Sequence, residues 1–247
     1  GFPLQLPDDI KDPQQLVVYY ETWKPQHPAG TMRSYANPSI GLLGVIASRS
    51  MGSPFDALLE RRLFPELGMR RSYVTVPPDE MKSYAWGYNR ESQPVRVNPA
   101  MLATEAYGVK SNAVDMIRFL EVHMGVGTLP PALSRAVAAT HIGYFRTGKF
   151  IQSLIWEQYA YPTPLAAIVA GNAPSVITGA ISATAIDPPM QPRADVVINK
   201  TGSTNGFGAY VAFVPAKRIG IVMLANRNIP NEYRVRAAHQ ILSRLTE

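Results

Sequence analysis

The sequence predicts an α+β fold: a mainly helical region over residues 1–148 with a long irregular loop, then an antiparallel-sheet region over residues 149–247 with a packed C-terminal helix. Three observations carry this. Apolar residues recur at helical spacing through most of the first region, and short apolar runs separated by tight turns follow in the second. The final segment then sets Val235, Ala238, Leu242 and Leu245 on one stripe suited to covering a sheet face.

The first helix is signalled by Asp12 as N-cap, Pro13 at the first helical position and Gln15 at N3, with Leu16, Tyr20 and Trp23 on one face. Pro25 and Gly30 end it. A second helix is expected over residues 38–52, and a third from Ser53-Pro54 with Phe55, Leu58 and Leu59 inward. Residues 70–110 are irregular and rich in Tyr, Pro, Asn and Ser, the pattern of a long functional loop. Ser111-Asn112 caps a helix carrying Met116, Phe119, Leu120 and His123, and another follows near Pro131. Residues 150–156 read as one strand, and 158–194, low in charge with six prolines, as a mobile loop unsuited to a central strand. Three runs, at Val196-Val197-Ile198, from Tyr210 and from Ile219, form an antiparallel meander turning at Gly206 and at Pro215-Ala216-Lys217.

With 247 residues and 46% hydrophobic content the chain can bury a substantial core. The net charge of +6 is spread over scattered Lys and Arg, which favours anionic ligands in general; no basic stripe interleaves with aromatics as nucleic-acid binding needs. Zero cysteines exclude disulfides, thiolate metal sites and a cysteine nucleophile. No apolar run approaches the roughly twenty residues that span a bilayer. The opening Gly1-Phe2-Pro3 reads as an interior cut.

Several motifs dissolve on inspection. Gly143 to Lys149 has phosphate-loop spacing, but Phe150 stands where Ser or Thr must hold Mg²⁺, so it reads as a turn into a strand. Gly206-Phe207-Gly208 mimics part of a dinucleotide fingerprint inside the meander, with no helix after it. The four histidines have no metal spacing, and no G-x-S-x-G elbow occurs.

Two motifs remain. On a strand, Lys200-Thr201-Gly202 sends Lys200 and Gly202 to one face and Thr201 to the other, so a cation lies beside a bare stretch of backbone. An acyl group can approach over Gly202, and the next N–H, at Ser203, can stabilise an oxyanion. Alone, the tripeptide reads first as a solvated strand end. In Tyr35-Ala36-Asn37, before a proline that opens a helix, Tyr35 and Asn37 project the same way. A phenol with an ordinary pKa of about 10 becomes a useful base only if a cation such as Lys200 lies close. By itself this tripeptide reads as a core tyrosine and a capping asparagine.

Together, Tyr35-Ala36-Asn37-Pro38-Ser39-Ile40-Gly41-Leu42 and the run from Lys200-Thr201-Gly202-Ser203 to Val211 resemble class C serine β-lactamases. Gly1-Phe2-Pro3-Leu4-Gln5, Glu105-Ala106-Tyr107-Gly108-Val109-Lys110 and Leu224-Ala225-Asn226-Arg227-Asn228 extend the likeness along the whole chain. The resemblance implies a β-lactamase/penicillin-binding-protein-like fold, no cofactor or metal, and a periplasmic location. It makes Tyr35 the proton-relay phenol with Lys200 beside it, and Ser203 N–H an oxyanion donor. Asn37 and Gln5 would bond the ligand's side-chain amide, Tyr107 would line the pocket, and Thr201, Asn228, Asn231 and Arg234 would lie near its carboxylate.

The family's serine and its partner lysine form Ser-x-x-Lys, and none of the seven lysines here has a serine three positions before it. The resemblance places that pair upstream of Gly1, with strands of the same sheet, so the expected chain is N-terminally truncated and has an unpaired sheet edge. Its expected partners are β-lactams or peptidoglycan stem peptides, and its own N-terminal segment or a second copy. Three readings stand: a β-lactamase chain inactive alone, a non-catalytic module binding the same ligands, or a D-alanyl-D-alanine peptidase or esterase on the same scaffold. A second departure is Gln152-Ser153-Leu154-Ile155-Trp156, where many relatives flank the leucine with glycines.

Overall fold

The computed structural model describes residues 1–245. Helix α1 (Pro13–Thr22) starts at Asp12, whose carboxylate accepts from the Gln14 and Gln15 N–H groups. After β1 (Met32–Ser34) comes α2 (Asn37–Met51), which stops where Gly52 takes φ 63° and bonds back to the last turn. The third helical stretch forms as α3 (Phe55–Leu58), a π-helical turn at Leu59–Leu63 and α4 (Phe64–Glu66). The long loop contains the hairpin β2 (Gly87–Tyr88) and β3 (Pro94–Val95) and the short α5 (Ala103–Ala106). Asn112 caps α6 (Ala113–His123), and α7 (Pro131–Ala139) follows.

Strand β4 (Gly143–Thr147) leads into β5 (Ile151–Gln152) through a tight turn held by the Thr147 hydroxyl, which accepts from Lys149 and Phe150 N–H. The single strand expected over 150–156 is instead two: Ser153 N–H bonds Trp156 C=O, turning the chain between β5 and β6 (Glu157–Ala160). The expected mobile loop over 158–194 is largely ordered into α8 (Leu165–Gly171), α9 (Pro174–Thr178) and β7 (Ala180–Met190). Its prolines fall where no N–H is needed: Pro164 and Pro174 start helices, and Pro188 and Pro189 sit where the register against β4 shifts between the Ala185 and Met190 pairs. The meander β8 (Val196–Ser203), β9 (Gly208–Val214) and β10 (Ile219–Ala225) forms as expected, and α10 (Asn231–Arg244) closes the chain.

The main sheet has eight strands in the order β1-β7-β4-β5-β6-β8-β9-β10, so β1 and β4 join it from residues 1–148. Helices cover both faces at its centre. On one, Val197, Tyr210, Ala212 and Val214 pack with Val235, Ala238 and Leu242 of α10; on the other, Val196, Ile198, Val211 and Phe213 pack with Trp156 and Leu120 of α6. Leu245 departs from the predicted stripe: it follows the last turn of α10 and is 62% exposed. The outer edge of β10 has no strand partner among the described residues.

Candidate active site

A cavity of about 1920 Å³ opens beside β8 and is larger than the roughly 300–1,000 Å³ that small ligands fill. Gln5, Tyr35, Asn37, Tyr107, Lys200, Thr201, Gly202, Ser203 and Asn231 all line it. The topology gathers them from five separated stretches of sequence.

Strand β8 supplies the central edge. It pairs with β9 out to Ser203, but with β6 only as far as Asn199, opposite Glu157. The Thr204 N–H bonds Phe207 C=O at 3.0 Å and closes the β8–β9 hairpin. Ladder alternation then turns the N–H and C=O of Thr201 and Ser203 away from β9, toward the side that β6 leaves open. A Cβ on Gly202 would meet only Ala209 Cβ, at 3.9 Å, so the space above this residue belongs to the cavity.

Tyr35 and Asn37 line the same cavity, as their spacing predicted, and Ala36 between them is buried. Asn37 N–H bonds Leu4 C=O at 3.0 Å, which brings the neighbouring Gln5 to the site. That N-terminal segment is clasped by Phe2 stacking on Trp23 at 4.1 Å and meeting Tyr20 edge-on. Tyr107 follows α5, and burial raises its pKa.

The Lys200 ammonium takes a different place from the one expected. It stands over the Tyr35 ring, 4.6 Å from the centroid, and donates to the Thr201 carbonyl at 2.7 Å, so it meets the ring face and not the phenol oxygen. Beneath lies a charged pair that sequence reasoning missed. Arg33 and Glu157 meet at 2.9 Å with side chains 11% and 5% exposed, and Arg33 also lies 5.6 Å from the Tyr35 centroid. Burial pushes the Glu157 carboxyl up, while Lys200 and Arg33 hold it down. The pair is 124 residues apart in sequence, and no local pattern joins it.

Arg234 and Asn228 also depart from expectation, since neither lines the cavity. Arg234 is 1% exposed and its guanidinium is spent internally. One nitrogen donates to the Gly202 and Ala209 carbonyls at 2.7 and 2.5 Å, and the other to Ser203 Oγ at 2.7 Å and to Asn231 Oδ1. Burial lowers its pKa. It braces β8, β9 and α10 behind the open edge instead of reaching into it.

A beta-lactamase family model matches residues 1–246. The chain belongs to the beta-lactamase family. It is 48% identical over 242 residues to a beta-lactamase of Lysobacter lactamgenus, covering 98% of this chain and 63% of that protein. With a beta-lactamase of Pseudomonas fluorescens it shares 44% over 247 residues, covering 100% and 69%. Among solved structures, a beta-lactamase/D-alanine carboxypeptidase from Pseudomonas syringae superposes with a TM-score of 0.96 at 51% identity, covering 98% of this chain and 68% of that one. A class C β-lactamase in complex with cefoxitin gives 0.96 at 48%, covering 98% and 68%. This β-lactamase-family chain thus spans about two thirds of the length of these relatives, and its fold and class are those the two motifs indicated. Among the described residues no helix is long and apolar enough to cross a membrane.

Proposed function

We propose that this chain carries the recognition and proton-relay side of a class C β-lactamase site. The observation that supports this most is the open edge of β8, where Thr201 and Ser203 present backbone groups beside Tyr35 and Lys200. In this reading the lactam carbonyl oxygen accepts from Ser203 N–H, where negative charge develops on attack. Thr201 and Asn231 take the ligand carboxylate, Asn37 and Gln5 its side-chain amide, and Tyr107 lines the wall. Tyr35, with Lys200 over its ring, passes the nucleophile's proton to the leaving ring nitrogen as the acyl–serine ester forms, and water then cleaves the ester. The compartment implied is the periplasm.

The attacking hydroxyl must come from a Ser-x-x-Lys, which this sequence does not contain. The serines at hand are poor substitutes: Ser153 is 4% exposed, Ser111 bonds Ser72, and Ser203 Oγ accepts from the Arg234 guanidinium, which cannot act as a base. The expected behaviour of the chain alone is therefore reversible binding of benzylpenicillin without acylation. Calorimetry should register the binding, and intact-mass analysis should find no penicilloyl adduct; an adduct on Ser39, Ser111, Ser153 or Ser203 sinks the assignment.

A second reading rests on the 51% identity to a protein named as both β-lactamase and D-alanine carboxypeptidase. An unpaired strand edge suits an extended peptide ending in D-alanyl-D-alanine as well as a lactam. Titration with a stem-peptide analogue alongside benzylpenicillin separates the two: tighter binding of the peptide favours the carboxypeptidase reading.

A further inference from the structure

The hairpin of β2 and β3 lies against the turn that follows Ser203. Tyr88 N–H bonds Gly206 C=O at 3.2 Å, and a side chain on Gly206 would collide with Val95. A ligand along the open edge of β8 therefore has one end near Thr201 and Asn231 and the other near this hairpin. Arg96, the residue after β3, lines the cavity there.

Arg96 is held without being neutralised. Its guanidinium carbon lies over two rings, 4.2 Å from the Trp86 centroid and 4.5 Å from that of Tyr84. Only one of its donors has a partner among the described residues, Nη2 to the Tyr84 carbonyl at 2.9 Å. Nε and the Tyr84 hydroxyl are buried with no hydrogen-bond partner there. Three of the four other arginines at the cavity differ: Arg33, Arg71 and Arg118 each pair with a glutamate. Ring contacts fix the plane of a guanidinium and leave its N–H edge for a planar acceptor, a geometry that matches a carboxylate. The surroundings add to this, since seven Lys and Arg line the cavity against three Asp and Glu.

The geometry points to a second anion subsite, in which Arg96 and the Tyr84 hydroxyl receive a carboxylate on the acyl arm of the ligand. The inference rests on the proposed function for the position of the ligand, and it names a substrate class: β-lactams or stem peptides with an anionic group on the acyl side chain.

The test compares benzylpenicillin with carbenicillin, which adds one carboxylate to the acyl arm, by calorimetry on the full chain at low salt. The chain should prefer carbenicillin about tenfold, the worth of one charge-assisted contact at a half-buried site. In Arg96→Gln the ratio of the two affinities should fall to near unity, and in Tyr84→Phe to an intermediate value. Equal affinities in the unmodified chain, or a preference that survives Arg96→Gln, overturn the subsite. If neither penicillin binds, the proposed function fails by itself and phenylmalonate decides the subsite: a shift of the Arg96 Nε–Hε NMR resonance on titration supports it, and an unmoved resonance overturns it.

Discussion

Strand β8 is two structures end to end. From Val196 to Asn199 it is wholly buried and paired with β6, with β9 joining on the other edge at Ile198, while from Lys200 to Ser203 it keeps β9 but loses β6. The first half builds the core and the second lines the candidate site. What separates them is where β6 begins, at Glu157, directly after the Ser153–Trp156 turn of the β5–β6 hairpin. The open edge here is made by stopping a neighbouring strand early, with no strain in β8 itself.

The largest expected effect tests the closed half through its histidines. His123 and His141 share a 2.9 Å hydrogen bond among Phe119, Trp156 and Phe213, and burial holds their pKa values down to about 3 and about 4. Both lie below the unfolded value of about 6.5, so the unfolded chain takes up protons first. Their stabilising contribution is full above about pH 6.5 and is lost progressively as pH falls through about 4 for His141 and about 3 for His123. Glu157, with its pKa raised, works the other way and offsets part of it. The net loss between pH 7 and about pH 4 is on the order of 4 kcal/mol. Urea unfolding across that range checks it, and His141→Leu should flatten the profile.

Next comes Ile198→Ala, in the fully buried half, which should cost about 3 kcal/mol in urea unfolding and leave ligand affinity unchanged while the chain is folded. Arg234→Gln sits behind the boundary and should do both. It should lose about 2 kcal/mol of stability, because several buried acceptors lose their donor, and calorimetry should show weaker benzylpenicillin binding as Ser203 and Asn231 come loose. Lys200→Met should invert the pattern of Ile198→Ala, with less than about 1 kcal/mol lost in stability and roughly tenfold weaker binding. Smallest is Leu245→Ala, within about 0.5 kcal/mol, since that side chain never reached the sheet.

Much of this was legible in the chain. Asp12 and Asn112 announce helix starts by capping the first N–H groups, and Pro13 and Pro38 by fixed φ, whereas Asn37, which by itself read as a capping residue, lies inside α2 and makes no cap bond. The meander was legible because its turns sit next to its strands. Residues 158–194 were misread because proline counts say nothing of position: a proline at a helix start or a bulge costs no hydrogen bond. The site was half legible. Tyr35, Asn37, Lys200, Thr201 and Ser203 form short motifs, whereas Arg33, Glu157, Tyr84 and Arg96 carry no motif and meet the others only in three dimensions.

By itself, then, the sequence determined the family, the order of elements, the alternation along β8 and the lack of a Ser-x-x-Lys, all properties of neighbours within a few residues. Tertiary structure alone decided that Lys200 faces the ring of Tyr35, that Arg234 braces the site from behind, and that β6 stops at Glu157. The reason is that each of these depends on distances between segments far apart in the chain, which packing sets and local spacing does not encode.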